Sequence, residues 1–199
     1  MIIENIPYIH MDDVISCSMS ACLSMLLRYH GIDEVPQAIS ESFGRTFMSE
    51  EFHSWNMNAI DMERYEASEM MACAQYLVNM RYAGLIADIM PTDMAKVKLS
   101  YIKRGIPIVV TGKFPLLSGK VSNSVLIRGY VDDYFIVNDP RGNARTGYRD
   151  RYGENMVYRR DDLVRWISSD KAYLLRILRA PMRRRQAFQK QPAVLSQTG

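Results

Sequence analysis

Three observations in the amino-acid sequence predict an α+β fold, with helices in the first half and an antiparallel sheet in the second. Met19, Ala21, Cys22, Leu23, Met25, Leu26, Leu27 and Tyr29 place apolar side chains on nearly every side of a helix that stops at Gly31. That is the pattern of a helix buried all round. From Ile106 onward the apolar spacing changes from helical to β-branched runs. Helices also precede strands instead of alternating with them, which is the α+β order of elements.

Each element follows from its own residues. Ser16, Cys17 and Ser18 supply N-cap chemistry ahead of the buried helix and bring small polar groups to the positive end of its dipole, with Ser18 read as the cap itself. A second helical region covers about residues 57–82, with Met62, Tyr65, Met70, Met71, Cys73, Ala74, Leu77, Val78 and Met80 at its apolar positions. It ends at Ala83-Gly84. A shorter third helix opens at Thr92-Asp93 after Pro91 and breaks at Arg104-Gly105. Residues 106–111, 124–130 and 134–138 are then strands of one antiparallel sheet, separated by turn-forming stretches. Residues 155–158 form a further strand, 161–166 a short helix capped by an acid, and 172–178 a last apolar strand that closes a domain spanning residues 1–180.

The chain has 199 residues, 48% hydrophobic and 24% charged, which fits one compact domain with a sizeable core. A disordered chain, a repeat array and a small disulfide scaffold are excluded. Lys and Arg number 25 against 22 Asp and Glu. Arg183, Arg184, Arg185 and Lys190 lie in residues 181–199, which hold no acid, so the positive net charge belongs to that segment. The body is close to neutral, and a basic nucleic-acid-binding body is not what the composition describes. Rich in Arg, Gln and Pro, residues 181–199 read as a flexible tail that orders only against a partner, and any contact with nucleic acid falls to its arginines.

Cys17, Cys22 and Cys73 are an odd count, and two of them sit in apolar helical stretches, so a disulfide framework is not expected. No apolar run approaches the roughly 20 residues of a membrane span, and Glu4 stands where a signal peptide would carry its basic segment. The expected location is the cytoplasm, or the inside of a particle into which the protein is packaged. His10, His30 and His53 share no metal-ligand spacing with the cysteines, so neither a metal nor another cofactor is expected.

Four segments, in order and at sensible intervals, carry a resemblance to a known family. They are Ile6-Pro7-Tyr8-Ile9; Cys22-Leu23-Ser24-Met25-Leu26-Leu27-Arg28-Tyr29-His30-Gly31; Arg104-Gly105-Ile106-Pro107-Ile108-Val109-Val110; and Val125-Leu126-Ile127-Arg128-Gly129-Tyr130 followed by Tyr134-Phe135-Ile136-Val137-Asn138-Asp139-Pro140. Together they resemble the papain-like cysteine peptidases that cut double-glycine leaders from bacteriocins. The likeness covers most of residues 6–178. It implies a papain-like fold, with the buried helix packed on the antiparallel sheet. It also implies a Cys nucleophile at the head of that helix, a His base at the start of a strand, an Asp that orients the His from an Asn-Asp-Pro, and an upstream Gln that donates to the oxyanion.

The residues depart from that pattern. Counted without a gap from Gly31, the nucleophile position falls on Ser18, with Cys17 one residue early. Counted from Gly129, the base position falls on Asn123, and only Asp139 stands as the pattern has it. A thiol needs a neighbouring imidazole to become a thiolate, and an Asn neither accepts nor returns a proton at neutral pH. The oxyanion position falls on Asp12, or on Met11 if Cys17 is the reference. Neither can donate, and an ionised Asp12 would repel the developing negative charge.

Cys17 remains the alternative nucleophile, with His10 as its nearest candidate base in sequence. His30 is explained by the helix C-terminus, and His53, like Phe43, Phe47, Phe52 and Trp55, falls in a connection between helices. Asp139 before Pro140 is read mainly as a structural turn residue. The expected function is a catalytically inactive peptidase-like domain that binds an extended peptide or a protein, with an active cysteine peptidase using Cys17 as the alternative. A small domain with an arm-like tail also suits a phage particle or another large assembly, although no residue selects that role.

Overall fold

The computed structural model describes residues 1–11, 17–51, 65–91, 93–167 and 173–180. Helix α1, Ser18–Tyr29, lies between helix α2 and the sheet, and its residues from Ser18 to Leu27 are all buried, as the unbroken apolar pattern requires. Leu23, Leu26 and Leu27 are fully enclosed, each a gain of about 1.5–3 kcal/mol over an exposed side chain. Two serines inside the helix keep their hydroxyls satisfied. Ser20 donates to the Cys17 carbonyl at 2.8 Å and accepts from Ser40 at 2.9 Å, while Ser24 donates to the carbonyl of Glu34.

Helix α2, Pro36–Phe47, takes up Phe43 and Phe47, which the sequence alone places in a connection between helices. Pro36 opens it without any side-chain cap, and Ile39 and Phe43, four residues apart, face the core. Helix α3, Tyr65–Arg81, leads into strand β1, Leu85–Pro91, a second element that no strong apolar alternation announces. The expected start of the helical region at residues 57–64 lies outside the described residues, as do Phe52, Trp55 and His53. Helix α4, Met94–Ser100, and a single 3-10 turn, Ile102–Arg104, complete the expected third helix.

The sheet comprises β1, β2 (Ile108–Pro115), β3 (Lys120–Val131), β4 (Tyr134–Asn138), β5 (Met156–Arg159) and β6 (Tyr173–Arg179) in the order β1-β6-β2-β3-β4-β5, every pair antiparallel. Strands β2 and β3 run further than their β-branched runs, because the polar pairs Lys113 with Ser122 and Gly112 with Asn123 continue the ladder toward the hairpin tip. The outer edge of β1 is closed by a side chain. The Asn79 amide on α3 accepts from the Ala87 N–H at 2.7 Å and donates to its carbonyl at 3.1 Å, as a neighbouring strand would. At the far end of β3, residues 1–6 lie along the strand. The Ile3 N–H donates to the Arg128 carbonyl at 2.8 Å, and the buried Arg128 guanidinium donates to the carbonyls of Ile3 and Ile6.

Helix α5, Arg160–Ile167, covers the sheet beside β2, where Trp166 packs on Phe114 at 5.4 Å and on Tyr158 at 5.2 Å between ring centroids. The approach is so close that a Cβ on Gly112 would run into the Trp166 carbonyl and sit 2.7 Å from the Ile167 Cα. Backbone cannot yield there as a flexible side chain would. Gly112→Ala is therefore expected to destabilise the domain by about 2 kcal/mol or more, read as a lower urea midpoint with unchanged slope.

Candidate functional site

Strands β3 and β4 pair with Leu126 opposite Asn138, so Asn123, upstream on β3, and Asp139, just past β4, arrive at the same end of the sheet. Both are buried, Asn123 at 1% exposure and Asp139 at 0%. The Asn123 amide Nδ2 donates to Asp139 Oδ1 at 2.9 Å and to the Tyr148 hydroxyl at 2.8 Å. Tyr158 donates to Asp139 Oδ2 at 2.9 Å and Tyr148 to the same oxygen at 3.3 Å, while the Arg141 N–H donates to Oδ1 at 3.1 Å. With the carboxylate on one side, the amide must turn its nitrogen toward Asp139, because the reverse orientation sets two oxygens against each other. Asn123 Oδ1 is left buried with no hydrogen-bond partner among the described residues.

The loop after β4 is folded to deliver these donors. The Asp139 N–H donates to the Gly153 carbonyl at 2.8 Å, and a Cβ on Gly153 would collide with the Asp139 carbonyl, so only glycine closes the loop here. Tyr158 reaches in from β5 and also accepts the Ala144 N–H at 3.0 Å. From the N-terminal segment Tyr8 donates to the Asp139 carbonyl at 3.2 Å, and the Met11 N–H donates to the Pro140 carbonyl at 2.9 Å. Burial pushes the Asp139 carboxyl up to about 6, with the hydrogen bonds from Asn123, Tyr158, Arg141 and Tyr148 opposing it. Burial and the nearby Asp139 charge raise both the Tyr148 and Tyr158 hydroxyls, which therefore remain protonated donors. Burial likewise lifts Tyr8 to about 12.

Ser18 is the first residue of α1 and not its cap. Its hydroxyl accepts the Ser124 N–H at 2.9 Å, which fixes the helix head against the residue next to Asn123. Cys17 is the N-cap. Its sulfur accepts the Ser20 N–H at 3.4 Å and its own N–H donates to Ser20 Oγ at 3.1 Å, so a reciprocal capping box replaces the expected serine cap. Cys22 donates to the Ser124 carbonyl at 3.4 Å, and burial holds its thiol well above the usual range, which keeps it un-ionised.

Other candidates lie elsewhere. Asp12 is outside the described residues. His10 is exposed, with Nδ1 3.4 Å from the Tyr8 hydroxyl. His30, at the far end of α1, is tied by Nε2 to the Ile177 carbonyl at 3.1 Å, and burial lowers its pKa. The ring so anchors the C-cap of α1 to β6. Arg183, Arg184 and Arg185 are outside the described residues. Among the described residues no group of three His, Cys, Asp or Glu could hold a metal ion, and no helix is long and apolar enough to cross a membrane. Tyr148 and Tyr158, which donate to Asp139, were missed; the only sequence signal was that Tyr148, Tyr152 and Tyr158 all follow the Asn-Asp-Pro.

Residues 3–172 match the model of the family described as "Peptidase_C39 like family". The chain belongs to this family. The C39-like chain is also similar to a putative C39-like peptidase from Bacillus anthracis, at 14% identity over 90% of this chain and 98% of that one, with a TM-score of 0.56. A second similar structure is the peptidase domain of Streptococcus ComA, a bi-functional ABC transporter involved in quorum sensing, at 14% identity over 89% and 99% of the two chains, with a TM-score of 0.52. A third, a double glycine motif protease from an AMS/PCAT transporter solved in complex with the leader peptide, shares 15% identity over 88% and 93%, with a TM-score of 0.49. Among curated proteins no sequence matches. At these identities the likeness establishes the fold, helices on a six-stranded antiparallel sheet.

Two outcomes are expected at Asp139. Its folded pKa, about 6, exceeds the unfolded value near 3.9, so the stability this group contributes is present below about pH 4 and is lost as pH rises through about 6. Asp139→Asn removes that dependence. Between pH about 4 and about 7 the variant should gain stability relative to the parent by something of order 3 kcal/mol in urea unfolding. Tyr158→Phe strips one donor from the carboxylate and leaves the Ala144 N–H unpaired. It should cost about 2 kcal/mol and move the Asp139 carboxyl resonance to titrate at higher pH in carbon-detected NMR.

Proposed function

We propose that this C39-like domain is catalytically inactive and works by holding an extended peptide or a protein partner. The observation that carries the reading is Asn123, at the position that the resemblance gives to the base, with its amide nitrogen engaged by Asp139 and Tyr148. An amide so engaged cannot take a proton from a nucleophile. Ser18, at the position that the resemblance gives to the nucleophile, has a hydroxyl that accepts from backbone, and among the described residues no imidazole is bonded to it. Asp139 supports the same reading, since its lone pairs are taken by hydroxyl, amide and backbone donors that fix a loop. This reading places the extended chain against the surface around the meeting of α1, β3 and the loop after β4.

One observation favours a second reading. Cys17 stands at the N-cap of α1, half-buried, with a backbone donor on its sulfur, which is where an active thiol would gain from the helix dipole. Its acceptor would have to be His10 or a residue outside the described ones.

The two readings part in one assay. The purified full chain, given a fluorogenic peptide with a paired glycine before the reporter, should release none above buffer. Its Cys17 should react with iodoacetamide at neutral pH no faster than a free cysteine peptide does. Turnover that disappears in Cys17→Ala would replace the binding reading with a cysteine peptidase. Pull-down from the native source should capture a stable partner, and comparison with a chain ending at residue 180 tests whether residues 181–199 help to hold it. A phage or other large assembly among the captured proteins would give the binding role its setting, and no partner under either condition would count against it.

A further inference from the structure

We infer that the tip of the β2–β3 hairpin and the loop after β4 together form a docking surface for a short peptide segment that is acidic and partly apolar; this deepens the peptide-holding role proposed above and rests on it. The two pieces are in direct contact. A Cβ on Gly147 would come within 2.8 Å of the Leu117 backbone nitrogen and 3.2 Å of the Leu116 carbonyl carbon, so the loop lies against the hairpin tip. Leu117 is 69% exposed and Leu116 36% exposed at that junction.

Four exposed cations flank this junction along the chain. Lys113 and Lys120 are exposed on the hairpin and share one of its faces, since Lys113 pairs with Ser122 and Pro115 with Lys120. Arg145 and Arg149 are exposed two residues to either side of Gly147. None of these four makes an ion pair with a described residue. The acids close by in sequence are occupied otherwise: Asp150 accepts the Tyr152 N–H at 3.0 Å and Glu154 the Tyr152 hydroxyl at 2.8 Å. Cations near exposed apolar side chains and without an ion-pair partner among the described residues attract a segment that carries both carboxylates and an aliphatic anchor.

The surface is built firmly enough to bind. The Asn143 N–H donates to the Asp150 carbonyl at 2.9 Å and the Tyr148 N–H to the Asn143 carbonyl at 3.0 Å, while Asn143 Oδ1 caps the turn at the Arg145 N–H. Tyr148, which lies between Gly147 and Arg149, anchors the loop on Asn123 and Asp139 through its hydroxyl. The cations are thus displayed on a fixed backbone, which lowers the ordering cost of binding, and the surface is continuous with the candidate site.

Charge distribution favours a short acidic peptide over a nucleic acid. Residues 141–151 hold four arginines and one aspartate, whereas residues 1–180 as a whole carry 21 Lys and Arg against 22 Asp and Glu. The rest of the body is therefore acidic and would repel a long polyanion that ran beyond the patch. Aliphatic Leu116 and Leu117 also reward an apolar side chain more than a stacked base.

The test uses the full chain carrying alanine at Arg183, Arg184 and Arg185, so that those arginines do not contribute. Fluorescence anisotropy follows a labelled dodecapeptide rich in Glu with two Leu, its Glu→Gln counterpart, and a single-stranded DNA oligonucleotide. The acidic peptide should bind saturably, weaken by about tenfold between about 50 and about 300 mM salt, and lose at least about fivefold in the double variant Arg145→Glu with Arg149→Glu. Leu117→Ser should weaken it without changing the salt slope. Acidic-peptide binding that is absent, or unchanged by the charge reversal, overturns the inference, and equal or tighter binding of the oligonucleotide overturns the choice of partner. If the Gln peptide binds as well as the Glu peptide, and the charge reversal leaves both unaffected, the charge-based inference fails while the peptide-holding role stands. Neither peptide binding, together with an empty pull-down, counts against both.

Discussion

A carboxylate out of reach of water is tolerated only if other groups occupy its lone pairs, and that constraint at Asp139 organises one whole end of the molecule. No cation stands beside its oxygens in the hydrogen-bonded set. The donors come instead from β3, from β5 and from two positions of the loop after β4, each a neutral dipole. Supplying them forces the loop to fold back, forces glycine at residue 153, and draws the N-terminal segment in through Tyr8 and Met11. Neutral donors only partly offset the burial, which is why the carboxyl stays well above its ordinary range.

The fold was largely readable in the sequence because burial leaves a pattern. A helix enclosed on every side shows an unbroken apolar run, and antiparallel strands show β-branched runs between turns, so α1, β3, β4, β5, α5 and β6 stood close to where they were expected. The omissions have physical reasons. Helix α2 starts on Pro36 with no capping side chain and buries a narrow stripe. Strand β1 has Ala87 and Asp88 at its centre, and its place is set by β6, which is far off in sequence, and by the side chain of Asn79. Tertiary contacts decide such segments, and local preference does not.

The site was legible in part for a related reason. Asn123 and Asp139 could be located because each lies at a fixed distance from a recognisable segment, and the structure brings them into contact. Their tyrosine partners could not, because Tyr148 and Tyr158 reach Asp139 from a loop and a strand that no periodicity connects to it. The helix head shows how a one-residue shift matters: a thiol at Cys17 takes the capping position, so the serine after it becomes the first helical residue and meets Ser124 instead. Pattern alone places such a boundary only to within a residue or two.

The amide of Asn79 has one more consequence. By occupying both backbone groups of Ala87 on the outer edge of β1, it ends the hydrogen-bond ladder with a side chain belonging to the same molecule. Another copy approaching that edge finds the central rung already taken. That rim of the sheet is thereby made a poorer template for chain-to-chain stacking, a safeguard against self-association built from helix side chains, since Gln75 on α3 also donates to the Ala87 carbonyl at 3.1 Å.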